Sequence, residues 1–309
     1  MTSKFKGYTL GVIAAATYGM NPLFTLPLYK EGMDPNSVLF FRYLMALPIV
    51  AVMIKARRRD FCVNPRQLLP LSILGLLMGL SSLALFVSYN YMEASIASTM
   101  LFVYPIMVAL IMAVVYHEKL TLQTVICLTM AIAGIILLYN GNGNATLSAA
   151  GTAWVMVSSL SYSIYIVGVN RSELKNLPTI KLTFYILLAG FMIFAVKAAI
   201  SGHLAVPHTT AMWAEALALA ALPTAVSLIC TTVAIQYIGS TATAILGVFE
   251  PVTAVIFGVL VFDEILTAKD TAGLLLILVA VTLVVSGSNI HRPLMAVRKM
   301  FPKAVRKRL

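Results

Sequence analysis

Charged residues are scarce in this sequence, and acidic ones are the rarest. Only 11% of the 309 residues are charged, with 11 Asp or Glu against 22 Lys or Arg, whereas 60% are hydrophobic. Soluble globular domains carry about 25% charged residues, so this composition excludes a soluble enzyme or a soluble binding protein. A transmembrane helix needs about 20 apolar residues, and apolar runs of that length follow one another along nearly the whole chain.

Cysteine is rare as well, and the sequence holds no cluster of metal-ligating or nucleophilic residues. Cys62, Cys127 and Cys230 stand alone, without the CxxC or Cys/His spacing of a disulfide framework or a metal site. There is no glycine-rich phosphate-binding loop, which excludes a self-contained ATP-driven pump. An intramembrane enzyme needs converging nucleophiles or paired acids, so we expect no enzyme activity, no metal and no cofactor.

Ten apolar runs are long enough to cross a bilayer. Helix is expected for each, because a strand with an unpaired edge cannot sit in lipid and the runs lack the alternation of barrel strands. The predicted fold is therefore an all-α integral membrane protein with ten transmembrane helices. The predicted spans are 8–29, 36–54, 68–91, 94–116, 121–139, 150–170, 179–201, 212–237, 239–262 and 268–288.

Basic residues are distributed unevenly between the two ends of the predicted spans. If the N-terminus is cytoplasmic, 18 Lys and Arg fall in cytoplasmic segments, while three, Lys30, Lys197 and Lys269, lie on the outer side. This positive-inside bias predicts that both termini are cytoplasmic, in a multi-pass protein of a bacterial inner membrane. The basic tail, 289–309, is expected to anchor the chain on anionic lipid, since no folded nucleic-acid-binding domain accompanies it.

The sequence contains an internal repeat. Residues 91–121 align without a gap to residues 237–267, at a constant offset of 146, and the first span aligns with the sixth at an offset of 144. Five spans therefore repeat as five spans, and an odd number of spans forces the second copy to cross the membrane in the opposite direction. The alignment of the first and sixth spans pairs Gly7 with Gly151 and Tyr18 with Tyr162.

The predicted organisation is two inverted five-helix repeats, 1–144 and 145–288, followed by the basic cytoplasmic tail, 289–309. Inverted repeats let one protein adopt two related conformations, each open to one side of the membrane, which is the geometry of alternating access. Gene duplication can also produce a symmetric scaffold without a transport role, and this alternative stays open at the level of the sequence.

Short motifs recur in the same order in both halves. The motifs are Glu250-Pro251, Asp263-Glu264-Ile265-Leu266-Thr267 and Gly273 in the second half, Tyr104-Pro105 and His117-Glu118-Lys119-Leu120-Thr121 in the first, and Arg42 early in the second span. With these motifs over residues 7–288, the sequence resembles the drug/metabolite transporter superfamily, specifically its ten-helix EamA-like exporters. One departure is Tyr104, which stands where the second half has Glu250.

The resemblance implies a carrier, driven by a proton or substrate gradient, that exports amino acids, related metabolites or toxic compounds. It also implies that the first four helices of each half surround a central cavity, while the fifth and tenth helices lie at the periphery.

Two charged residues lie inside predicted spans and are the candidates for coupling or gating. Glu250 is the only carboxylate deep in a span; it couples protons or binds a substrate amine, or it is a structural carboxyl that bonds backbone groups freed by Pro251. Four alternatives are open for Arg42: it has a structural or gating role, it snorkels to the interface, it binds a substrate carboxylate, or it pairs with Glu250. Glu118 and Glu264 end two spans and are expected to act as turn and cap residues.

Polar and aromatic residues of helices one, three, four, six and eight are expected to line the cavity. Their apolar faces and polar tips suit a mostly apolar pocket with a few hydrogen bonds, although for each tyrosine an interfacial or interhelical position is an equal alternative. Prolines loosen a helix by removing a backbone donor, so Pro22, Pro105 and Pro251 are predicted hinges. The candidate cavity residues are Tyr18, Asn21, Tyr89, Asn90, Tyr104, Tyr162, Tyr165, Ser227 and Thr231.

We therefore predict a secondary active transporter that exports a small organic metabolite, an amino acid or a related solute, by alternating access. Its expected partners are the substrate, the lipid bilayer and protons as the coupling ion. No nucleic acid is expected, and the chain is a monomer or a homodimer. Two alternatives stay open: a passive facilitator or channel, which shares the fold, and a membrane scaffold without transport, for which the short extramembrane segments leave little surface.

Overall fold

The regular elements of the chain are helical throughout the part that the structure describes. The structure is a computed structural model, and it describes residues 3–117, 122–139, 148–280 and 282–283, among which there is no β-strand. There is also one 3₁₀ turn in the described residues, Glu173–Asn176, and one π-helical segment, Ala221–Val226. The α-helices are α1 (Ser3–Gly19), α2 (Asn21–Lys30), α3 (Pro35–Ala56), α4 (Pro65–Ser88), α5 (Ala94–Leu101), α6 (Tyr104–Tyr116), α7 (Leu122–Tyr139), α8 (Ala149–Arg171), α9 (Thr179–Ser201), α10 (Thr210–Ala220), α11 (Ser227–Leu246), α12 (Phe249–Phe262) and α13 (268–280).

The helices account for the ten predicted spans, and the predicted fold class is confirmed. Six stretches in the described residues are long and apolar enough to cross a membrane by themselves, and shorter apolar helices supply further spans. In chain order the spans are α1 with α2, α3, α4, α5 with α6, α7, α8, α9, α10 with the start of α11, the end of α11 with α12, and α13. The predicted boundary between the halves at 144 and 145, and the tail 289–309, lie outside the described residues.

The second half contains a further break after the predicted boundary at 237–239. The Cβ atoms of Ala234 and Leu246 both lie 3.7 Å from a Cβ built on Gly11, whereas 12 residues of straight helix would span about 18 Å, so the chain reverses direction between them. The further break follows at 247–248. The physical reason is Pro251, which has no N–H to bond the Gly247 carbonyl four residues earlier. That carbonyl accepts a tighter-turn hydrogen bond of 3.0 Å from the backbone N–H of Glu250.

Each of the three prolines predicted to loosen a span follows a break in a helix. The breaks fall at Met20 before Pro22, at 102–103 before Pro105, and at 247–248 before Pro251. Pro105 leaves the Leu101 carbonyl without its helical partner, and the Ser159 hydroxyl donates a hydrogen bond of 3.2 Å to this carbonyl. The break is therefore tolerated inside the apolar part of the bundle, because a neighbouring helix satisfies the freed backbone group.

The sequence repeat is also a repeat of backbone geometry. His117 and Asp263, which lie 146 residues apart, are the C-caps of α6 and α12, and both are left-handed, with φ of 53° and 55°. Non-glycine residues adopt this conformation uncommonly. Its occurrence at the same offset that aligns the two sequences marks the two positions as structurally equivalent.

Two hydrogen bonds between the halves are related by the same symmetry. The Ser81 hydroxyl donates to the Ser158 carbonyl at 2.9 Å, and the Ser227 hydroxyl donates to the Ala14 carbonyl at 2.9 Å. The two donors are equivalent at the offset of 146, and the two acceptors are equivalent at the offset of 144. The first span of each half therefore packs on the third span of the other, α1 on α11 and α8 on α4.

Equivalent glycines permit these two helix crossings to be close. A Cβ at Gly7 would lie 2.7 Å from the Cβ of Tyr237, and a Cβ at Gly151 would lie 3.1 Å from the Cβ of Tyr91. Small residues at a crossing let two helix backbones approach each other in a membrane. The two inverted five-helix repeats thus interlock through matching surfaces.

The far end of the bundle is densely packed. The Ala205 N–H donates to the Ser37 hydroxyl at 3.0 Å there, which ties the segment before α10 to the start of α3. Apolar side chains beneath this end are completely buried. The far end holds the segments 31–34, 89–93, 202–209 and 263–267, and its most buried side chains include Leu28, Leu39, Phe86, Ile96 and Met212.

The near end is the opposite end, where α3 ends, α4 begins and α9 begins. Its segment 57–64 is anchored on α9, because the Tyr185 hydroxyl donates to the Phe61 carbonyl at 2.5 Å and Lys181 forms an ion pair with Asp60. The hydrogen bond from the Lys181 ammonium lowers the pKa of the Asp60 carboxyl below its usual value.

Candidate functional site

A central cavity of about 380 Å³ lies between the two halves. Its lining comes from the first four spans of each half, while α7 and the described part of α13 contribute none of it. This is the arrangement that the sequence resemblance implies. Eight of the eleven residues proposed for the cavity or for coupling lie in its wall: Tyr18, Arg42, Tyr104, Tyr162, Tyr165, Ser227, Thr231 and Glu250.

Three tyrosines form an aromatic wall on the side of α6 and α8. The rings of Tyr104 and Tyr162 meet edge to face, with centroids 4.7 Å apart, and the rings of Tyr162 and Tyr165 stack at 5.9 Å and 15°. No hydrogen bond within the described chain engages the hydroxyls of these three tyrosines. The wall therefore offers apolar ring surface with hydroxyl groups left for a ligand or for water.

Arg42 brings a positive charge into the cavity wall from α3. Its side chain is buried, its Nε donates to the Thr224 hydroxyl at 3.2 Å, and its guanidinium carbon lies 5.4 Å from the centre of the Phe86 ring. No carboxylate of the described residues lies within 4.0 Å of it. A guanidinium held by a neutral hydroxyl and an aromatic face keeps its terminal N–H groups for a further acceptor.

Glu250 brings a carboxyl group into the cavity wall from α12. It is the second residue of that helix, directly after the break at 247–248, and its carboxylate has no hydrogen-bond partner in the described part of the chain. Gly19 fixes its backbone, since a Cβ at Gly19 would lie only 2.3 Å from the Glu250 carbonyl oxygen. The carboxylate is thus held in place at its backbone while its oxygens are free to bind.

The ion pair between Arg42 and Glu250, one of the alternatives that the sequence left open, is absent from the structure, which pairs neither residue with an opposite charge within 4.0 Å in the described residues. Tyr18 lines the same cavity as both residues. The cavity wall therefore holds a cation and a carboxyl group that do not pair with each other.

Three predicted cavity residues lie elsewhere. Asn21 is buried at the start of α2, where its amide nitrogen donates to the Tyr18 carbonyl at 2.8 Å, because the break at Met20 turns it away from the cavity. Tyr89 is buried at the far end and shares a hydrogen bond of 3.3 Å with Ser98. Asn90 is exposed in the turn that follows.

Several lining residues were missed by the sequence argument. Tyr43 follows Arg42 in α3, and its hydroxyl pairs with Ser82 at 2.8 Å. Thr224 lies in the π-helical segment, whose wider turns a single sequence does not reveal. The repeat could have identified Thr224, because Thr224 is equivalent to Met78 at the offset of 146 and both residues line the cavity.

The comparison with protein families matches this two-part architecture. The model of the EamA-like transporter family matches residues 5–140 and again residues 149–286, once for each half. The chain belongs to the EamA-like transporter family. This EamA-like protein is accordingly a multi-pass membrane transporter and not an enzyme.

Two individual proteins resemble the EamA-like chain over nearly its whole length. An uncharacterized transporter of Archaeoglobus fulgidus is 27% identical over 274 residues, which cover 87% of this chain and 93% of the relative. A crystal structure of a protein that is 17% identical has a TM-score of 0.67, over 93% of this chain and 98% of the other. At that identity, the second likeness shows the fold alone.

Proposed function

We propose that this EamA-like protein is a secondary active carrier that exports a small amphoteric organic solute, an amino acid or a related metabolite, by alternating access. The observation that carries the proposal is one cavity in which Arg42 and Glu250 both lack an ion-pair partner among the described residues. Buried charges are costly unless they are paired. A substrate that carries both a carboxylate and an ammonium group supplies both missing partners.

The neutral part of the cavity wall supports the same class of substrate. The wall formed by Tyr104, Tyr162 and Tyr165 gives ring surface for an apolar or aromatic side group, and hydroxyls such as Thr231 give additional hydrogen bonds. A volume of about 380 Å³ lies at the small end of ligand pockets, which span about 300–1,000 Å³. A metabolite with a compact side group therefore fits better than a large drug.

The interlocked repeats support alternating access, because two matched pairs of spans cross at the centre and can exchange roles. The far end is closed by fully buried apolar side chains such as Ile96 and Met212. In contrast, the cavity reaches Thr183, four residues after α9 begins at the near end, a rise of about 6 Å. We assign this conformer as the one that opens towards the near end.

The charge distribution supports a cytoplasmic near end. Its segments hold most of the Lys and Arg residues of the described chain, including the run 57–59 and Lys181. A carrier that opens towards the cytoplasm in this conformer loads its solute there, which agrees with export. We place the protein in a bacterial inner membrane with both termini in the cytoplasm.

Proton coupling through Glu250 completes the proposal. In the empty carrier the Glu250 carboxylate has no charged partner, so a proton neutralises it, and a substrate ammonium group competes with that proton. Such competition couples solute movement to an opposing proton movement. Pro251 and the preceding break at 247–248 give α12 the local freedom that a hinge requires.

Counterflow in proteoliposomes tests the proposal. The test panel compares zwitterionic amino acids with their amides, which lack the carboxylate, and their N-acetyl derivatives, which lack the ammonium. Hydrogen bonds to charged groups contribute about 1.5–3 kcal/mol, so loss of either group weakens uptake roughly 10–150-fold. Equal uptake of amides and parent amino acids, or no saturable counterflow for any member of the panel, would contradict it.

Matched variants test the roles of Arg42 and Glu250. Arg42→Gln is expected to remove the preference for the carboxylate. Glu250→Gln is expected to remove the dependence of counterflow on the pH at the near end, measured at a constant pH at the far end, while folding stays intact. Lys197→Gln and Glu215→Gln are the controls, because both charges lie outside the cavity lining. Unchanged pH dependence in Glu250→Gln would remove the proton role of this residue.

A further inference from the structure

Acidic side chains converge at the far end, where the α4–α5 turn lies against the α12–α13 turn. Glu93 is the residue directly before α5, and Glu264 is the second residue after α12. Oε1 of Glu264 accepts a hydrogen bond of 3.1 Å from the backbone N–H of Ala94. A carboxylate from the second half therefore caps a helix of the first half, where a negative charge is favourable.

A third acid, Asp270, completes this acidic seam, which we define as Glu93, Glu264 and Asp270. Asp270 is 1% exposed, and its Oδ2 accepts from the backbone N–H and the hydroxyl of Thr267 at 2.9 and 2.6 Å. Its other oxygen, Oδ1, has no hydrogen-bond partner among the described residues. The seam thus includes a buried acid with half of its acceptor capacity unused.

Each residue of the acidic seam has one buried oxygen without a hydrogen-bond donor in the described chain: Oε2 of Glu93, Oε2 of Glu264 and Oδ1 of Asp270. A buried carboxylate oxygen is costly when it is ionised and lacks a donor. A protonated carboxyl supplies a donor, and the free oxygens of Glu93 and Glu264 lie at one seam without one. Their geometry therefore favours a closed far end in which the seam holds a proton.

The charged groups around Glu93 strengthen this preference. Those that act on it are Glu264 and Asp270, both acids, while on the neighbouring elements Tyr89 ends α4 and Lys30 lies over the Phe262 ring at 5.7 Å. Burial, followed by the two acids, raises the pKa of Glu93 to about 7. Burial also raises the pKa of Glu264.

We propose that the acidic seam is a proton-controlled gate: protonated Glu93 holds the far end closed, and its ionisation favours opening. Opening separates α5 from the α12–α13 turn, so it breaks the contact of Glu264 with Ala94 and exposes Glu93 to water. This inference rests on the proposed alternating access. With the topology proposed above, the gate responds to the pH outside the cell.

The direction of the pH effect follows from linkage. The pKa of Glu93 is about 7 in the closed conformer and returns towards its solvent-exposed value of about 4.3 when the seam opens. The closed conformer binds the proton more tightly, so its advantage is present at low pH and is lost as the pH rises through about 7. Glu93 is partly hydrated, and screening limits the expected change in the closed-to-open ratio to about tenfold.

Distances across the seam measure the gate without a substrate. Spin labels at Tyr91→Cys and Ile265→Cys, both exposed positions beside the seam, are introduced into a background in which Cys62, Cys127 and Cys230 are replaced. We expect one short distance at pH 5.5 in liposomes and a growing longer population up to pH 8.5, with a midpoint near pH 7. A distance distribution that is the same at both pH values would overturn the gate.

Two variants and one control assign the effect to the seam. Glu93→Gln, which keeps the shape and supplies a donor, is expected to show only the short distance over the whole pH range. Glu264→Gln keeps an oxygen for the Ala94 N–H and removes one acid, so it is expected to lower the midpoint. Glu31→Gln changes an exposed acid at the same end and is expected to behave as the wild type.

These experiments test the gate independently of transport. A wild-type pH response that survives in Glu93→Gln would overturn the role of this residue, as would an unshifted midpoint in Glu264→Gln. Because the distances are read without solute, a failed gate leaves the counterflow experiment to decide the proposed function, and absent counterflow leaves the distance titration intact.

Discussion

The contact between Gly19 and the backbone of Glu250 gives a sharp test of how the cavity is built. In the substitution Gly19→Ala, the new Cβ would lie 2.3 Å from the Glu250 carbonyl oxygen and 2.8 Å from the Cβ of Thr253. The first neighbour is a backbone atom and the second is a Cβ, so no side-chain rotation moves either away, and α1 and α12 must separate. Overpacking of this kind costs about 1–3 kcal/mol.

The matched control is Gly11→Ala on the same helix. There the new Cβ would meet the Cδ1 of Leu246 at 2.5 Å, the end of a flexible side chain, and otherwise only contacts of 3.7 Å. Gly11 lies in the interior of α1 and gains helix propensity of up to about 1 kcal/mol, whereas Gly19 is the last residue of α1 and gains less. The clash and the propensity therefore both place Gly19→Ala below Gly11→Ala. We expect Gly19→Ala to melt roughly 2–10 °C below Gly11→Ala.

Thermal unfolding of the purified variants in one detergent measures this difference. The comparison uses variants that elute as a single monodisperse species. Counterflow by the same samples reports whether the displaced α12 carries Glu250 out of position. Equal melting temperatures for Gly19→Ala and Gly11→Ala would refute the claim that α1 fixes the Glu250 backbone.

Two further predictions concern the helix break and the topology. Ser159→Ala removes the donor to the Leu101 carbonyl, so it is expected to destabilise the protein by about 1–3 kcal/mol. Thermal stability is measured against the control Ser201→Ala, whose hydroxyl is exposed. Equal stability of the two variants would contradict the role of Ser159. Cys62 is exposed whereas Cys127 and Cys230 are buried, so a membrane-impermeant maleimide is expected to label Cys62 in inside-out vesicles only, and labelling of intact cells would reverse the proposed orientation.

The architecture was largely predictable because its signals are long or repeated. Apolar runs identify the spans, and the constant offset of 146 reappears in the left-handed caps His117 and Asp263. Tyr18, Tyr104 and Tyr162 line the cavity, and they lie in spans that the repeat makes equivalent or adjacent.

Irregular backbone limited the prediction of the site. The break at Met20 turns Asn21 away, and the π-helical segment Ala221–Val226 brings Thr224 to Arg42. Neither event has a unique local sequence signal, because both depend on which neighbouring helix satisfies the freed backbone groups. Glu264 was expected to be a cap, and it is one, but the helix that it caps belongs to the other half.

The accessibility of one cavity position from both sides of the membrane tests the central claim most directly. Thr231 lines the cavity, and Thr231→Cys in a background in which Cys62, Cys127 and Cys230 are replaced provides a single reactive site. We expect an impermeant maleimide to modify it from inside-out vesicles and, during solute exchange, from right-side-out vesicles, with protection by the transported solute in both. Modification from one side alone under every condition would contradict alternating access through this cavity.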